Sequence, residues 1–307
     1  MEHFELDQLG ELSEYVGCKI QHNREEGWMR LTQPVIVQSF EDEFDLTAHT
    51  TTKTPAAPGE VLEEGDDEHR LPPNEHKDYR KAVGKLLHVT KLTRPEISNA
   101  TRELSRFGHA PTTAHYNAML RCMKYCVDTK ERGILLKPDA KWDGSKDFKF
   151  RIHGASDSDF AKCKKTRRSV SGYAAFLNNA PYVRKSTMQA FVTTSVTEAE
   201  CVAATSCIQE MLFGMRWLEA IGLQVEKPMT LWMDNKGGVD LFNSWSINGR
   251  TRSIAVRLAF VRELKEQGVI AVKWFPTDQN YTDFFTKNVD GNSFNEQAKV
   301  YCGPTDG

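Results

Sequence analysis

The stretch TLWMDNKGG, residues 230–238, decides how this chain folds. Met229, Leu231 and Met233 alternate with Thr230 and Trp232, the period of a strand with one face turned inward. The apolar run then stops at Asp234 and Asn235, and Lys236, Gly237 and Gly238 follow. Asp234 has two readings. It can cap a helix over 235–243, since an aspartate there accepts backbone N–H bonds. Or it can stand at the strand's end to hold a ligand. Residues 230–238 alone leave both open.

Working outward, the flanking segments read as strands and helices in turn. Phe148, Phe150 and Ile152 alternate with Lys149, Arg151 and His153 and predict a half-buried first strand. SGYAAFL (171–177) and AFVTT (190–194) predict two more, separated by the turn-like NNAP. A helical period runs from Thr197 to Gly222 through Val202, Ile208, Leu212, Met215 and Leu218. Ile254, Leu258, Val261 and Leu264 share a second helix face, which Gly268 closes. VIAVKWF (269–275) is a fifth strand, and a short helix follows Asn280. Three strands, helix, strand, helix, strand, helix is an α/β layout with a sheet covered by helices.

Upstream, residues 1–50 mix strand-like and polar segments. Residues 50–74 are rich in Thr, Pro, Gly and acid and read as a loop or linker. Residues 78–130 are helical in period, with Leu86, Leu87, Ile97, Leu104, Met119, Leu120 and Tyr125 as core candidates and Pro95 and Pro111 at helix starts. The basic residues of this block, among them Lys77, Arg80, Lys81 and Lys85, read as a solvated face or a phosphate-tracking surface.

Composition excludes several classes. The chain has 307 residues and a net charge of −2, so any pull toward nucleic acid must be local. No apolar run approaches the roughly 18 residues of a membrane span. The acidic opening MEHFELDQLGELSEYV lacks the basic and apolar regions of a signal peptide. Seven scattered cysteines, no Cys-x-x-Cys and no histidine after His153 argue against zinc and for buried free thiols.

Four acids fall at matching places. Asp157 (in ASDSD) follows the first strand, with Asp159 as the alternative. Glu200 (in SVTEAEC) opens the long helix, Asp234 ends the fourth strand, and Asp283 (in YTDFFTK) starts the last helix. Strand ends and helix starts converge on one crevice in an α/β sheet. Four carboxylates there would repel unless divalent metal neutralised them, and oxygen ligands suit Mg2+ or Mn2+. Two such ions are the usual clamp for phosphodiester cleavage. Bland roles compete. Thr197 with Glu200 fits a capping box, but so does Ser195 with Glu198, which would leave Glu200 free. Asp283 fits the acid that a helix start favours.

SDSDFAKCKKTRRSVSGYAAFL, TTSVTEAECVAA, LWMDNKGG and WFPTDQNYTDFFTK together resemble the ribonuclease H domain of copia-type retrotransposon polyproteins. The segment from YRKAVGKLLHV to GILLKP is similar to the piece joining reverse transcriptase to that domain, and GELSEYVGCKI to the end of the polymerase region. The resemblance runs in order from about residue 10 to about residue 290. It implies a ribonuclease H-like mixed five-stranded sheet flanked by helices, preceded by a small mostly helical thumb or connection region. Its divisions would be 1–50 (end of the polymerase region), 51–76 (linker), 77–140 (connection), 147–292 (ribonuclease H-like) and 293–307 (tail).

The resemblance also implies metal-dependent hydrolysis of the RNA strand of RNA–DNA hybrids, leaving a 5′ phosphate. Asp157, Glu200, Asp234 and Asp283 would hold two Mg2+ or Mn2+ ions, which settles the capping choice in favour of a free Glu200. Lys162, Lys164, Lys165, Arg167 and Arg168 of KCKKTRR would meet phosphates, or form a solvated hairpin. Asn235 would bond the hybrid's backbone or 2′-hydroxyl, or cap its helix. Gly237 and Gly238 would keep the helix start slim beside the hybrid, or simply pack against the sheet. Implied partners are the hybrid and the polymerase portion of the same polyprotein, in the cytoplasm and a virus-like particle, with no membrane and no small-molecule cofactor. The one Asp-Asp pair, Asp66-Asp67, lies in the acidic linker, where a polymerase site is not expected.

The chain departs from the family at Cys201 (commonly Tyr), Arg184 (commonly Trp), Ser253 and Ala255 (commonly His and Asp), and Leu258 and Ala259 (a Tyr-His pair). All four acids survive. A degenerate copy that only binds nucleic acid, or that docks to a polymerase, is the competing expectation.

Overall fold

A computed structural model describes residues 10–46, 52–244 and 253–304. Among these, β1 (Glu14–Tyr15), β2 (Cys18–Asn23), β3 (Trp28–Thr32) and β4 (Ile134–Leu136) form a small antiparallel sheet in that order. Helix α1 (Pro34–Phe44) follows β3. Helices α2 (Pro73–Leu92), α3 (Ser98–Ser105) and α4 (Thr113–Asp128) come between β3 and β4 in sequence. Proline sits in the first turn of α1 and α2, where a missing N–H costs nothing. Pro95 opens a short 3-10 turn ahead of α3, and Thr112, next to Pro111, caps α4.

The larger sheet is built from β6 (Ile152–Asp159), β7 (Val170–Leu177), β8 (Ala180–Met188), β10 (Met229–Met233) and β11 (Ile270–Trp274). Its order is β11-β10-β6-β7-β8. β10 runs parallel to β6 and to β11, while β7 is antiparallel to β6 and β8. Helix α5 (Val196–Ala220) crosses from β8 back to β10. Helices α6 (Lys236–Asn243) and α7 (Ala255–Glu266) join β10 to β11. This is the ribonuclease H-like arrangement expected from the sequence: a mixed five-stranded sheet with flanking helices. A small ribbon of β5 (Lys149–Phe150) and β9 (Gln224–Val225) lies beside it.

Alternation along β7 shows how the sheet is covered on both faces. Tyr173 and Ala175 join the core under α5, with Ile208, Leu212, Leu231 and Leu258. Ala174 and Phe176 join the other core, with Leu86, Leu104, Phe284 and Tyr301. That second core takes residues from α1 to α4 and from the chain's last helix, α8 (Gly291–Cys302). Burying each Phe or Leu there contributes roughly 1.5–3 kcal/mol, so the upstream helices and the sheet share one interior.

Several expected boundaries move. The third strand is Ala180–Met188, not 190–194. Asn178 and Asn179 both adopt the left-handed region (φ +45° and +69°), so a tight hairpin turn starts β8 at once. β8 is an edge strand with mixed polar residues and Pro181 beside a bulge, which hides its period. Residues 190–194 run on to α5 instead, with Phe191 and Val192 exposed. The first strand begins at Ile152, and Phe150 belongs to the separate ribbon. Asp157 therefore lies inside its strand rather than beyond it. Asp283 starts a 3-10 turn, Asp283–Phe285, not a helix. Residues 293–302, read as part of a tail, belong to α8, and its Phe294, Ala298 and Tyr301 are buried. All seven cysteines are buried and free. No helix among the described residues is long and apolar enough to cross a membrane.

Candidate functional site

The site forms where the parallel strands end. Asp157 is near the end of β6, Asp234 follows β10 directly, and Asp283 follows β11. Glu200 is in the second turn of α5, whose cap settles its freedom. Ser195 is the N-cap and accepts the Glu198 N–H at 3.1 Å. Glu198 Oε2 in turn accepts the Thr194 N–H at 2.6 Å and the Thr194 hydroxyl at 2.8 Å. Glu198 does the capping work, and Glu200 points elsewhere.

Two glycines let the acid-bearing segments approach the sheet. A Cβ on Gly154 of β6 would lie 2.6 Å from Cys207 Sγ and 2.8 Å from Met211 Sδ, so α5 lies directly on that strand. A Cβ on Gly172 of β7 would meet Thr286 Cγ2 at 2.6 Å and Phe285 Cβ at 2.7 Å. Gly172 pairs in register with Asp157, and the Thr286 hydroxyl donates to Asp157 Oδ2. The same close approach thus seats the 283–286 turn and its acid against β6.

Asp157, Glu200 and Asp234 come together, each with a carboxylate oxygen within 4.8 Å of the others. Asp157 and Glu200 are each 3% exposed, and Asp283 is 7% exposed. Asp283 stands next to this trio rather than in it. Asn280, itself buried, joins the two: its Nδ2 donates to Asp234 Oδ2 at 3.1 Å and to Asp283 Oδ1 at 3.0 Å. Its Oδ1 accepts from the Thr282 backbone at 2.9 Å and hydroxyl at 2.6 Å, which fixes the amide. Lys287 Nζ lies 3.1 Å from Asp283 Oδ1. The Ser158 N–H donates to Glu200 Oε1 at 3.2 Å, and the Trp274 indole N–H donates to the Asp234 carbonyl at 2.9 Å.

The electrostatics follow from crowding buried acids. Burial, then the Asp157 and Asp234 charges, pushes Glu200 well above the usual carboxylate range. Burial raises Asp157 too, against the pull of Lys287 and Thr286. Asp283 is pushed up to about 7 by burial and then by Asp157. Burial disfavours the Lys287 charge, but Asp157 and Asp283 more than offset it, and its pKa rises. The cluster asks for a cation. Glu200 Oε2 is buried with no hydrogen-bond partner among the described residues. An all-oxygen donor set with an unsatisfied buried carboxylate oxygen fits Mg2+ or Mn2+.

The other expected site residues are placed differently. Asp159 is not in the cluster; it pairs with Lys162 at 2.6 Å. Lys164 pairs with Glu63, and Lys165 with Glu64 at 2.8 Å, so the acidic linker covers part of the basic loop. Arg167 and Arg168 are exposed. Asn235, not Asp234, caps α6: its Oδ1 accepts the Gly238 N–H at 2.8 Å. A Cβ on Gly238 would lie 3.0 Å from Met233 Cε and 3.7 Å from Glu200 Cβ, so this glycine serves interior packing. Asn280 and Lys287 were missed as site residues. The signal for both was their spacing of three before and four after Asp283 in NYTDFFTK. Thr286 carried no such signal, because its bond to Asp157 spans 129 positions.

No protein-family model matches the chain. The "Retrovirus-related Pol polyprotein from transposon TNT 1-94" of Nicotiana tabacum is 28% identical over 310 residues, covering 98% of this chain and 22% of that protein. The polyprotein from transposon RE1 of Arabidopsis thaliana is 31% identical over 253 residues, covering 82% of this chain and 16% of that protein. A solved RNase H1 isolated from compost aligns with 44% of this chain and 92% of its own, at 13% identity and a TM-score of 0.35. At that score the likeness adds no weight to the strand order. The chain spans about a fifth, or less, of the length of the two polyproteins it matches. Over that span, this chain belongs to the retrovirus-related Pol polyproteins of copia-type transposons.

Proposed function

We propose that this chain hydrolyses the RNA strand of RNA–DNA hybrids and that Asp157, Glu200, Asp234 and Asp283 hold the two divalent ions it uses. One observation carries the reading. Three carboxylates from three elements lie within 4.8 Å of one another, and a buried Glu200 oxygen is left without a partner. Burial of that kind is costly unless a cation completes it. Bound Mg2+ or Mn2+ supplies Lewis-acid activation of a water and neutralises phosphate charge.

The chain's own groups do the positioning. The Ser158 N–H aims Glu200, the Thr286 hydroxyl aims Asp157, and the Asn280 amide holds Asp234 beside Asp283. Such preorganisation is where most of the rate comes from when chemistry is charge stabilisation. Hybrid contacts fall to the exposed Arg167 and Arg168, and to Lys164 and Lys165 once they leave Glu63 and Glu64. A hybrid would be read by shape and 2′-hydroxyls rather than by base sequence. Asn235 acts through the helix it caps. Residues 10–46 and 77–140 serve as the end of the polymerase region and its connection, tied to residues 147–292 through their common core.

The test is cleavage of a labelled RNA–DNA hybrid by the purified chain with Mg2+. Asp234→Asn is expected to lower the rate by roughly 10²-fold or more. Cleavage in EDTA, or unchanged cleavage by Asp234→Asn, refutes the assignment. Hybrid binding without cut products assigns the degenerate-copy reading instead.

A further inference from the structure

The four acids are not equivalent. Asp157, Glu200 and Asp234 form one group, and Asp283 is outside it with a cation already in place. That cation is Lys287, one turn on from Asp283, with its Nζ 3.1 Å from Asp283 Oδ1. The pair is protected on the acid's side and open on the lysine's. The Asp283 side chain is 11% exposed and that of Lys287 is 39% exposed. Asp283 is also held from the other direction by Asn280, so it stays aimed at Asp234 whether or not the lysine is there. A lysine is a compact charge on a flexible four-carbon stem and rehydrates readily. It can leave without disturbing the carboxylate.

We propose that Lys287 is a resident counter-ion for Asp283: the first divalent ion binds among Asp157, Glu200 and Asp234, and a second binds only as the Lys287 ammonium moves away. This inference deepens the proposed metal-dependent reading and rests on it. The physical reason is like-charge exclusion. A divalent ion on Asp283 would share that carboxylate with an ammonium at 3.1 Å, and two cations that close disfavour each other strongly. The Lys287 charge also acts on Asp157 of the trio, but its ion pair is with Asp283, and Glu200 Oε2 of the trio is buried with no hydrogen-bond partner among the described residues. Lys287 is thus a positioning residue that sets the order and relative strength of metal binding.

The experiment is a Mn2+ titration of the metal-free full chain at neutral pH, with free Mn2+ followed by electron paramagnetic resonance. Wild type is expected to take up one ion tightly and a second weakly. Lys287→Met keeps the stem and deletes the charge, and should tighten the second site by roughly tenfold or more, the effect of one nearby charge. Lys287→Arg keeps the charge and should bind as wild type does. Lys287→Gln supplies the same neutral comparison if the methionine variant does not fold, and circular dichroism reads that.

The proposal is overturned if the neutral variants leave the second site at its wild-type affinity, or if wild type binds both ions equally well. Failure of the functional reading looks different. If the chain binds Mn2+ in the expected order yet never cuts a hybrid, the counter-ion role stands and the nuclease role falls. If wild type binds no Mn2+, both fall.

Discussion

Replacing Asp283 with asparagine should stabilise the metal-free protein above neutral pH, although it removes a proposed metal ligand. Asp283 is buried among acids, and its pKa is raised from 3.8 to about 7. A carboxyl whose folded-state pKa lies above its unfolded value contributes stability that is fully present below about 3.8. That stability is lost as the pH rises through about 7. Three units at 1.36 kcal/mol each set an upper bound of about 4 kcal/mol. Relaxation of the site and entry of water bring the expected gain to about 2 kcal/mol. Asparagine keeps an oxygen for the Asn280 amide and matches the aspartate's volume, so little else changes. The loss of the Lys287 ion pair is already contained in the shifted value.

The assay is thermal unfolding in EDTA from pH 4 to pH 8.5. Asp283→Asn should match wild type near pH 4 and exceed it by roughly 4 °C at pH 8. Adding Mg2+ should raise wild type more than the variant, since only ions bound to the native state stabilise it. An offset that does not change with pH, or a variant less stable than wild type at pH 8 without metal, would refute the reasoning.

Two other substitutions probe the scaffold. Ser195→Ala removes the α5 cap and should cost about 1 kcal/mol in urea unfolding; a larger loss from Thr197→Ala would move the cap and return Glu200 to a capping role. Trp274 is 48% exposed at the rim of the site, with its indole N–H on the Asp234 carbonyl. Trp274→Ala should raise KM for a hybrid by roughly 5-fold or more through lost stacking, and Trp274→Phe should recover part of it; unchanged KM in both would leave the ring without a role in binding.

The acids were legible because each sits where a short-range pattern changes. Asp234 ends an alternation, and Glu200 opens a 3.6-residue period. Strand ends that run parallel must share an edge, so those positions could be placed together before any coordinates. What failed was of another kind. β8 is a half-exposed edge strand, and its residues carry no clean alternation. The choice of Asn235 over Asp234 as cap turns on one residue of register, which propensity cannot resolve because both side chains cap well. The pairing of Lys164 and Lys165 with Glu63 and Glu64 spans 101 positions and leaves no local trace.

The position of Asp283 shows the limit most clearly. The residue type and its spacing could be read, but not what holds it. Its 3-10 turn carries Phe284 and Phe285, both buried in the core that α1 to α4 and α8 build. Phe284 packs edge-on to Tyr301 of α8 at 5.3 Å, and the Ser186 hydroxyl of β8 donates to the Phe285 carbonyl. Arg102 of α3 donates to that same serine at 3.0 Å. Asn99 of α3 reaches Asn288, one residue past Lys287, at 2.7 Å. The fourth acid and its lysine are therefore set by helices that lie outside the ribonuclease H-like sheet. Helix α3 is thus part of the site's geometry. A change such as Arg102→Ala can then reach Asp283 through the turn, and Asp157 with it through Thr286, while the Ser158 N–H still holds Glu200.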